Sequence, residues 1–173
     1  MEIRRQHPPI RYKGFWDARF ATRCTSRTLG NVKLRLDVEG GESVTGLPGD
    51  GGEFVAFMSF AVSRGFGAVH PLIALADRLH DVHGVSMGPL TTFYETEPAD
   101  GEDIEKLELA WQEAEGLLIA LERMADAFES DEQLRALLAR ASAESLPKQI
   151  TALIPPVRRA AGADQRVRLT YTL

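Results

Sequence analysis

The chain has 173 residues, 44% of them apolar and 26% charged, with a net charge of −5. That balance fits one soluble domain with a sizeable core, and the longest apolar run, Phe54 to Val62, is far shorter than the roughly 20 residues a membrane helix needs. The single cysteine, Cys24, excludes an intramolecular disulfide and suits a reducing, cytoplasmic compartment.

Residues 1–28 hold seven Arg/Lys and two acids, and residues 29–99 hold four and nine. Residues 100–132 hold two and twelve, a net −10, while residues 133–173 hold seven and two, a net +5. The expectation is that the basic ends lie near the acidic segment and offset its charge.

Residues 1–30 read as a basic arm outside a domain of residues 31–173. Pro8-Pro9 breaks any helix there, and Tyr12, Phe15, Trp16 and Phe20 alternate with Arg11, Lys13, Arg19 and Arg23. The aromatics predict that part of the arm docks. Basic and aromatic residues so mixed can bind single-stranded nucleic acid, but the acidic bulk of the chain argues against that partner. No apolar stretch follows the first arginines, so a secretory signal is not expected.

Val32, Leu34, Leu36 and Val38 alternate with charged residues and predict a half-buried strand over 32–38. Gly40-Gly41 suits a tight turn, with a return strand over 42–47. The loop 46–52 is rich in Gly and Pro. The apolar run 54–62 is expected to be a central strand.

Pro71 opens a helix with Leu72, Leu75, Ala76 and Leu79 inward, and His83-Gly84 closes it. Pro89 and Pro98 bracket a strand over 90–96. Ile104, Leu107, Trp111, Ala114, Leu118, Leu121, Ala125 and Phe128 then recur at intervals of three and four. This spacing predicts one amphipathic helix over 102–129, capped by Asp100. Ser130 to Gln133 forms a capping box for a second helix with Leu134, Leu137, Leu138 and Ala141 inward. A third helix opens at Ser145 and ends near Pro155-Pro156, with a further turn over 158–162. Val167, Leu169, Tyr171 and Leu173 alternate with polar residues in a last strand over 165–172. No internal repeat is present.

The expected fold is a single α+β domain: a mostly antiparallel sheet with the long helix and the shorter helices packed on one face. The last strand is expected to pair inside the sheet.

The long stripe admits two readings, a coiled-coil seam or a core face. With Ile104 at heptad position a, the e positions are Glu108, Glu115, Glu122 and Glu129. Ala110, Leu117 and Met124 fall at g, where a parallel dimer needs charges. The stripe is therefore a core face of a, d and g, and the glutamates mark its edge. A homo-oligomer is compatible with this pattern without being required by it. Leu109 and Ile119 lie off the face.

Three sets of residues bear on function. The first is the glutamate edge: Glu108, Glu115, Glu122 and Glu129 with Leu109 and Ile119. It predicts a non-catalytic domain that binds a protein partner of basic character. The second is an alternative enzyme site. Gly65 and Gly67 precede a helix, where backbone N–H groups can meet an anion, with His70 beside them. The third dinucleotide-motif glycine and the P-loop Gly-Lys-Ser/Thr are both missing. The third set is His80 and His83, three apart beside Asp77, a donor set suited to zinc, iron or manganese. Cys24 stands among Arg19, Arg23 and Arg27, which could lower its pKa, but the expected reading is an incidental cysteine in the arm and nucleophilic catalysis has little support. No Gly-x-Ser-x-Gly elbow occurs and no motif points to a cofactor.

Overall fold

The computed structural model describes residues 32–64, 69–98 and 101–173. The expected arm of residues 1–30 with Cys24, the pair Gly65 and Gly67, and the expected cap Asp100 lie outside the described residues.

Strand β1 spans Lys33–Val38 and strand β4 spans Arg166–Thr172, as the alternation predicts. They pair antiparallel, with Lys33 opposite Thr172 and Val38 opposite Val167. Leu34, Leu36, Val167 and Leu169 face the core, so Asp37, Arg168 and Thr170 point to the other side. Strand β2, Phe93–Glu95, pairs with β4 in parallel, and strand β3, Gln112–Glu113, pairs with it antiparallel. β4 is therefore interior, with β1 on one edge and β2 and β3 sharing the other.

The sheet is mixed, which corrects the expectation of a mostly antiparallel one. The chain travels from β2 to β4 through several helices, and such a long crossover returns it in the same direction. The return strand expected over 42–47 is reduced to one bridge between Leu36 and Val44. Beside that bridge the Ser43 hydroxyl donates to Asp37 Oδ1 at 2.7 Å.

The apolar run expected as a central strand is helix α1, Gly52–Val62. Phe54 through Ser59 are all buried. A helix enclosed on every side shows no amphipathic period, so its pattern resembles a buried strand. Phe54 and Phe57 stack one turn apart, with ring centroids at 6.3 Å.

Helix α2 spans Pro71–Asp81 and buries Leu72, Ile73, Leu75, Ala76 and Leu79. It ends where expected. Gly84 adopts φ 64°, its N–H reaches the His80 carbonyl, and the Val85 N–H reaches Leu79 at 3.0 Å. This pair of bonds satisfies the last free carbonyls, and only glycine takes that φ without strain. The strand expected over 90–96 is shortened. Pro89 starts a single helical turn, α3, Gly88–Thr91, and only Phe93–Glu95 is left for β2.

The helix expected over 102–129 is two helices: α4, Gly101–Leu109, and α5, Ala114–Ser130. Between them β3 occupies the free edge of β4. Trp111 leaves the stripe to stack under the Arg168 guanidinium, 4.4 Å from the ring centre. The Gln112 side-chain amide donates to the Pro89 carbonyl at 3.0 Å. An interior strand needs hydrogen bonds on both edges, and β3 supplies those that one continuous helix would withhold. The core face is also rotated from the expected one: Leu117, Ala120, Leu121, Met124, Ala127 and Phe128 are buried, whereas Leu118 and Ala125 are half-buried and Ile104 is exposed.

Helix α6 spans Glu132–Ala141, and its cap is Asp131 rather than Ser130. Asp131 Oδ1 accepts from the N–H groups of Gln133 and Leu134, while the Ser130 hydroxyl donates back to Asp126 inside α5. Helix α7 spans Leu146–Gly162 and runs through Pro155-Pro156. The prolines remove two donors from its ladder. Burial of Leu153, Pro156, Val157 and Ala160 holds that face in place.

Neither α1 nor α7 has a side-chain cap from its own N-cap residue. Each borrows one from the other. Buried Gln149 of α7 accepts the Phe54 N–H at 2.8 Å, and Glu53 of α1 accepts the Ser145 N–H at 2.7 Å. One continuous core joins the inner sheet face to α1, α2, α5 and α7. Helix α4 stands on the outer side of the sheet, where its Leu107 carbonyl accepts from Arg168 at 3.0 Å. Among the described residues, no helix is long and apolar enough to cross a membrane.

Candidate functional site

Helix α5 buries one face and exposes the opposite one. Glu115, Ile119, Glu122, Asp126 and Glu129 follow at intervals of four, three, four and three, so they form one stripe along it. Ile119 is 43% exposed in its middle. Glu122 receives Arg158 of α7 at 2.7 Å. Among the described residues, no basic side chain lies within ion-pair distance of Glu115, Asp126 or Glu129.

The stripe ends at a cleft of about 690 Å³ between α5, α6 and α7. Phe128, Leu138, Pro147 and Ala152 give it apolar walls, and Glu129, Arg135, Glu144 and Lys148 edge it. Arg135 is held in place by the carbonyl of Glu129, at 2.9 Å, at the end of α5. An apolar hollow with charged edges suits an apolar side chain delivered by a polar segment.

The six residues expected to bind a partner therefore fall into two groups. Glu115, Ile119, Glu122 and Glu129 share α5. Glu108 and Leu109 end α4, before the break, and do not continue that stripe. Leu109 is 73% exposed, and Glu108 lies 3.7 Å from Arg168. The pairs Arg158–Glu122 and Arg168–Glu108 tie the basic C-terminal segment to the acidic one.

His70 sits at the N-terminus of α2. Its Nδ1 accepts the Leu72 N–H at 3.1 Å, and its ring stacks on Phe60 at 3.8 Å. Burial lowers its pKa from the ordinary 6.5. Its imidazole thus caps a helix, while Gly65 and Gly67 lie outside the described residues.

His80, His83 and Asp77 turn to three different partners. His80 Nδ1 lies 2.7 Å from Asp81, Asp77 receives Arg64 at 2.6 Å, and His83 Nε2 lies 2.8 Å from Asp131. Among the described residues, no three His, Cys, Asp or Glu side chains are grouped as a metal site requires. Asp131 also receives Arg78 at 2.6 Å. The Arg78 guanidinium, then His83 and two backbone N–H groups, hold its carboxyl far below the usual range.

A second buried carboxylate, Asp37, is enclosed on the outer sheet face. Arg35 meets one oxygen at 2.5 Å, and Arg168 meets the other at 3.2 Å. Both oxygens are occupied, and Arg168 is shared with Trp111 and α4. This network fixes the sheet to α4.

Sequence reasoning missed the cleft, because its walls come from three helices with no common spacing. It also missed Asp126, although its position between Glu122 and Glu129 could have placed it on the stripe. No protein-family model, curated protein or solved structure matches this chain.

Proposed function

We propose that this chain is a non-catalytic binding module. Its acidic α5 stripe attracts a basic segment of a protein partner, and the α5–α7 cleft receives an apolar side chain of that segment. The observation that supports this reading is the continuity of Glu115, Ile119, Asp126 and Glu129 with the Phe128–Leu138 hollow. Complementary charge speeds encounter and makes binding salt-sensitive, whereas burial in the hollow slows release. An apolar side chain fully buried there contributes about 1.5 to 3 kcal/mol.

The test is affinity capture from native cell extract at low salt. The full chain is compared with a variant carrying Glu115→Lys, Asp126→Lys and Glu129→Lys, both shown to be folded by circular dichroism. A partner retained by the wild type, lost by the variant and released by high salt is expected. Identical recoveries on the two baits, or no partner on the wild type, would refute the reading.

A further inference from the structure

Helix α7 carries Lys148, Arg158 and Arg159 and no acid over Leu146–Gly162. Lys148, Ala152, Pro155 and Arg159 follow at intervals of four, three and four, so they form one stripe along it. Lys148, Pro155 and Arg159 are exposed, and Ala152 is half-buried. This stripe is the counterpart of the one on α5: charges of a single sign at its ends and apolar residues between them. Among the described residues, no carboxylate lies within ion-pair distance of Lys148 or Arg159.

The two stripes flank one groove. Helices α5 and α7 pack on each other, and Glu129 and Lys148 edge the same cleft. About two turns back along α5, Glu122 meets Arg158, which stands about three turns further along α7. The helices are therefore antiparallel neighbours, with axes about 8 to 10 Å apart. One wall of the groove is acidic through Asp126 and Glu129, and the other is basic through Lys148 and Arg159. The apolar hollow lies between them at one end. A segment that is only basic satisfies the first wall and is repelled by the second. A helix has the width to lie along such a groove, and its 3.6-residue period gives it two flanks with a ridge between them. An extended strand has only two faces, so it does not serve two walls and a floor separately.

We propose that the partner segment is an amphipathic helix of both signs. Lys or Arg residues along one flank meet Asp126 and Glu129, and Asp or Glu residues along the other meet Lys148 and Arg159. An apolar residue on the ridge between them enters the Phe128–Leu138 hollow. This rests on the reading of the chain as a binding module, and it adds the second charge and the helical form of the partner.

The test presents the full chain to a displayed library of alanine-based helical peptides. One ridge position is Leu, and the positions on each flank vary among Lys, Glu and Gln. The wild type should enrich peptides with Lys on one flank and Glu on the other. A variant carrying Lys148→Glu and Arg159→Glu, shown to be folded by circular dichroism, should enrich Lys on both flanks. Replacing the Glu flank of an enriched peptide by Gln should weaken its binding to the wild type about fivefold, read by fluorescence anisotropy at low salt. Lys enriched on both flanks by the wild type, or an unchanged affinity after the Gln exchange, overturns the two-signed helix and leaves the acidic stripe standing as a binding surface. Failure to enrich any peptide, or enrichment without Lys, overturns that stripe as well. A second copy of the chain also presents stripes of both signs. A wild-type dimer that Lys148→Glu and Arg159→Glu dissociate, measured by sedimentation equilibrium, would make that copy the occupant and overturn the proposal.

Discussion

Replacing Asp131 by alanine removes two interactions at once. Its Oδ1 caps α6 through Gln133 and Leu134, and its Oδ2 binds Arg78 and His83 at the end of α2. Loss of an Asp cap costs about 1 kcal/mol. A hydrogen bond to a charged group contributes about 1.5 to 3 kcal/mol when well enclosed. Asp131 is 8% exposed, but the Arg78 and His83 side chains are 29% and 21% exposed, so water reaches them once the carboxylate is gone. The lower end of that range applies, and Asp131→Ala should cost about 2 to 3 kcal/mol. Asp131→Asn keeps the cap oxygen but puts an NH2 donor where Oδ2 accepted from Arg78, losing both the charge and that acceptor, so it should cost about 1 to 2 kcal/mol. Urea unfolding of the two variants measures both, and the alanine variant should melt about 8 °C lower than the wild type. A double-mutant cycle of Asp131→Asn with Arg78→Met should show coupling of about 1 kcal/mol. The folded carboxyl has a lowered pKa, so its contribution is complete above the ordinary value of 3.8 and is lost as pH falls below it. Equal losses for the Ala and Asn variants would refute the cap, and zero coupling to Arg78 would refute the ion pair.

Three further outcomes follow from the fold. Burial lowers the pKa of His70, so its stabilisation is present above 6.5 and falls away as pH drops below that value; His70→Asn, which caps without titrating, should show a flatter stability–pH curve between neutral and mildly acid solution. Gly51 adopts φ 75°, and a Cβ there would collide with Leu34, so Gly51→Ala should lower urea-unfolding stability by about 3 kcal/mol. Gln149→Ala leaves the buried Phe54 N–H without its acceptor and should cost about 2 kcal/mol, with faster amide exchange at the start of α1.

The legible parts of the fold are those with a local cause. β1 and β4 alternate because one face meets the core and the other does not. Helix α2 closes at Gly84 because that residue takes the positive φ of the closing turn, and the Ser130–Gln133 capping box marks the start of α6 within one residue, although the cap itself is Asp131. The acid stripe of α5 was visible as Glu115, Glu122 and Glu129. The cleft was not, because Phe128, Leu138 and Ala152 meet only when three helices close on one another. His80, His83 and Asp77 looked like one cluster because they are near in sequence. Arg64, Asp81 and Asp131 take them separately, and two of those partners come from other elements.

The sequence by itself determined the single-period elements and the partition of charge, since both arise from neighbours along the chain. Tertiary structure decided three larger matters. It made 54–62 a helix, because burial on every side erases the period that distinguishes helix from strand. It set β2 parallel to β4, because direction within a sheet depends on the path between strands. It divided the long stripe at Trp111, where the free edge of β4 and the Arg168 guanidinium offer hydrogen bonds and stacking that a continuous helix would forgo. The 3-4 spacing continued across that break, so only the competing partner in space could reveal it.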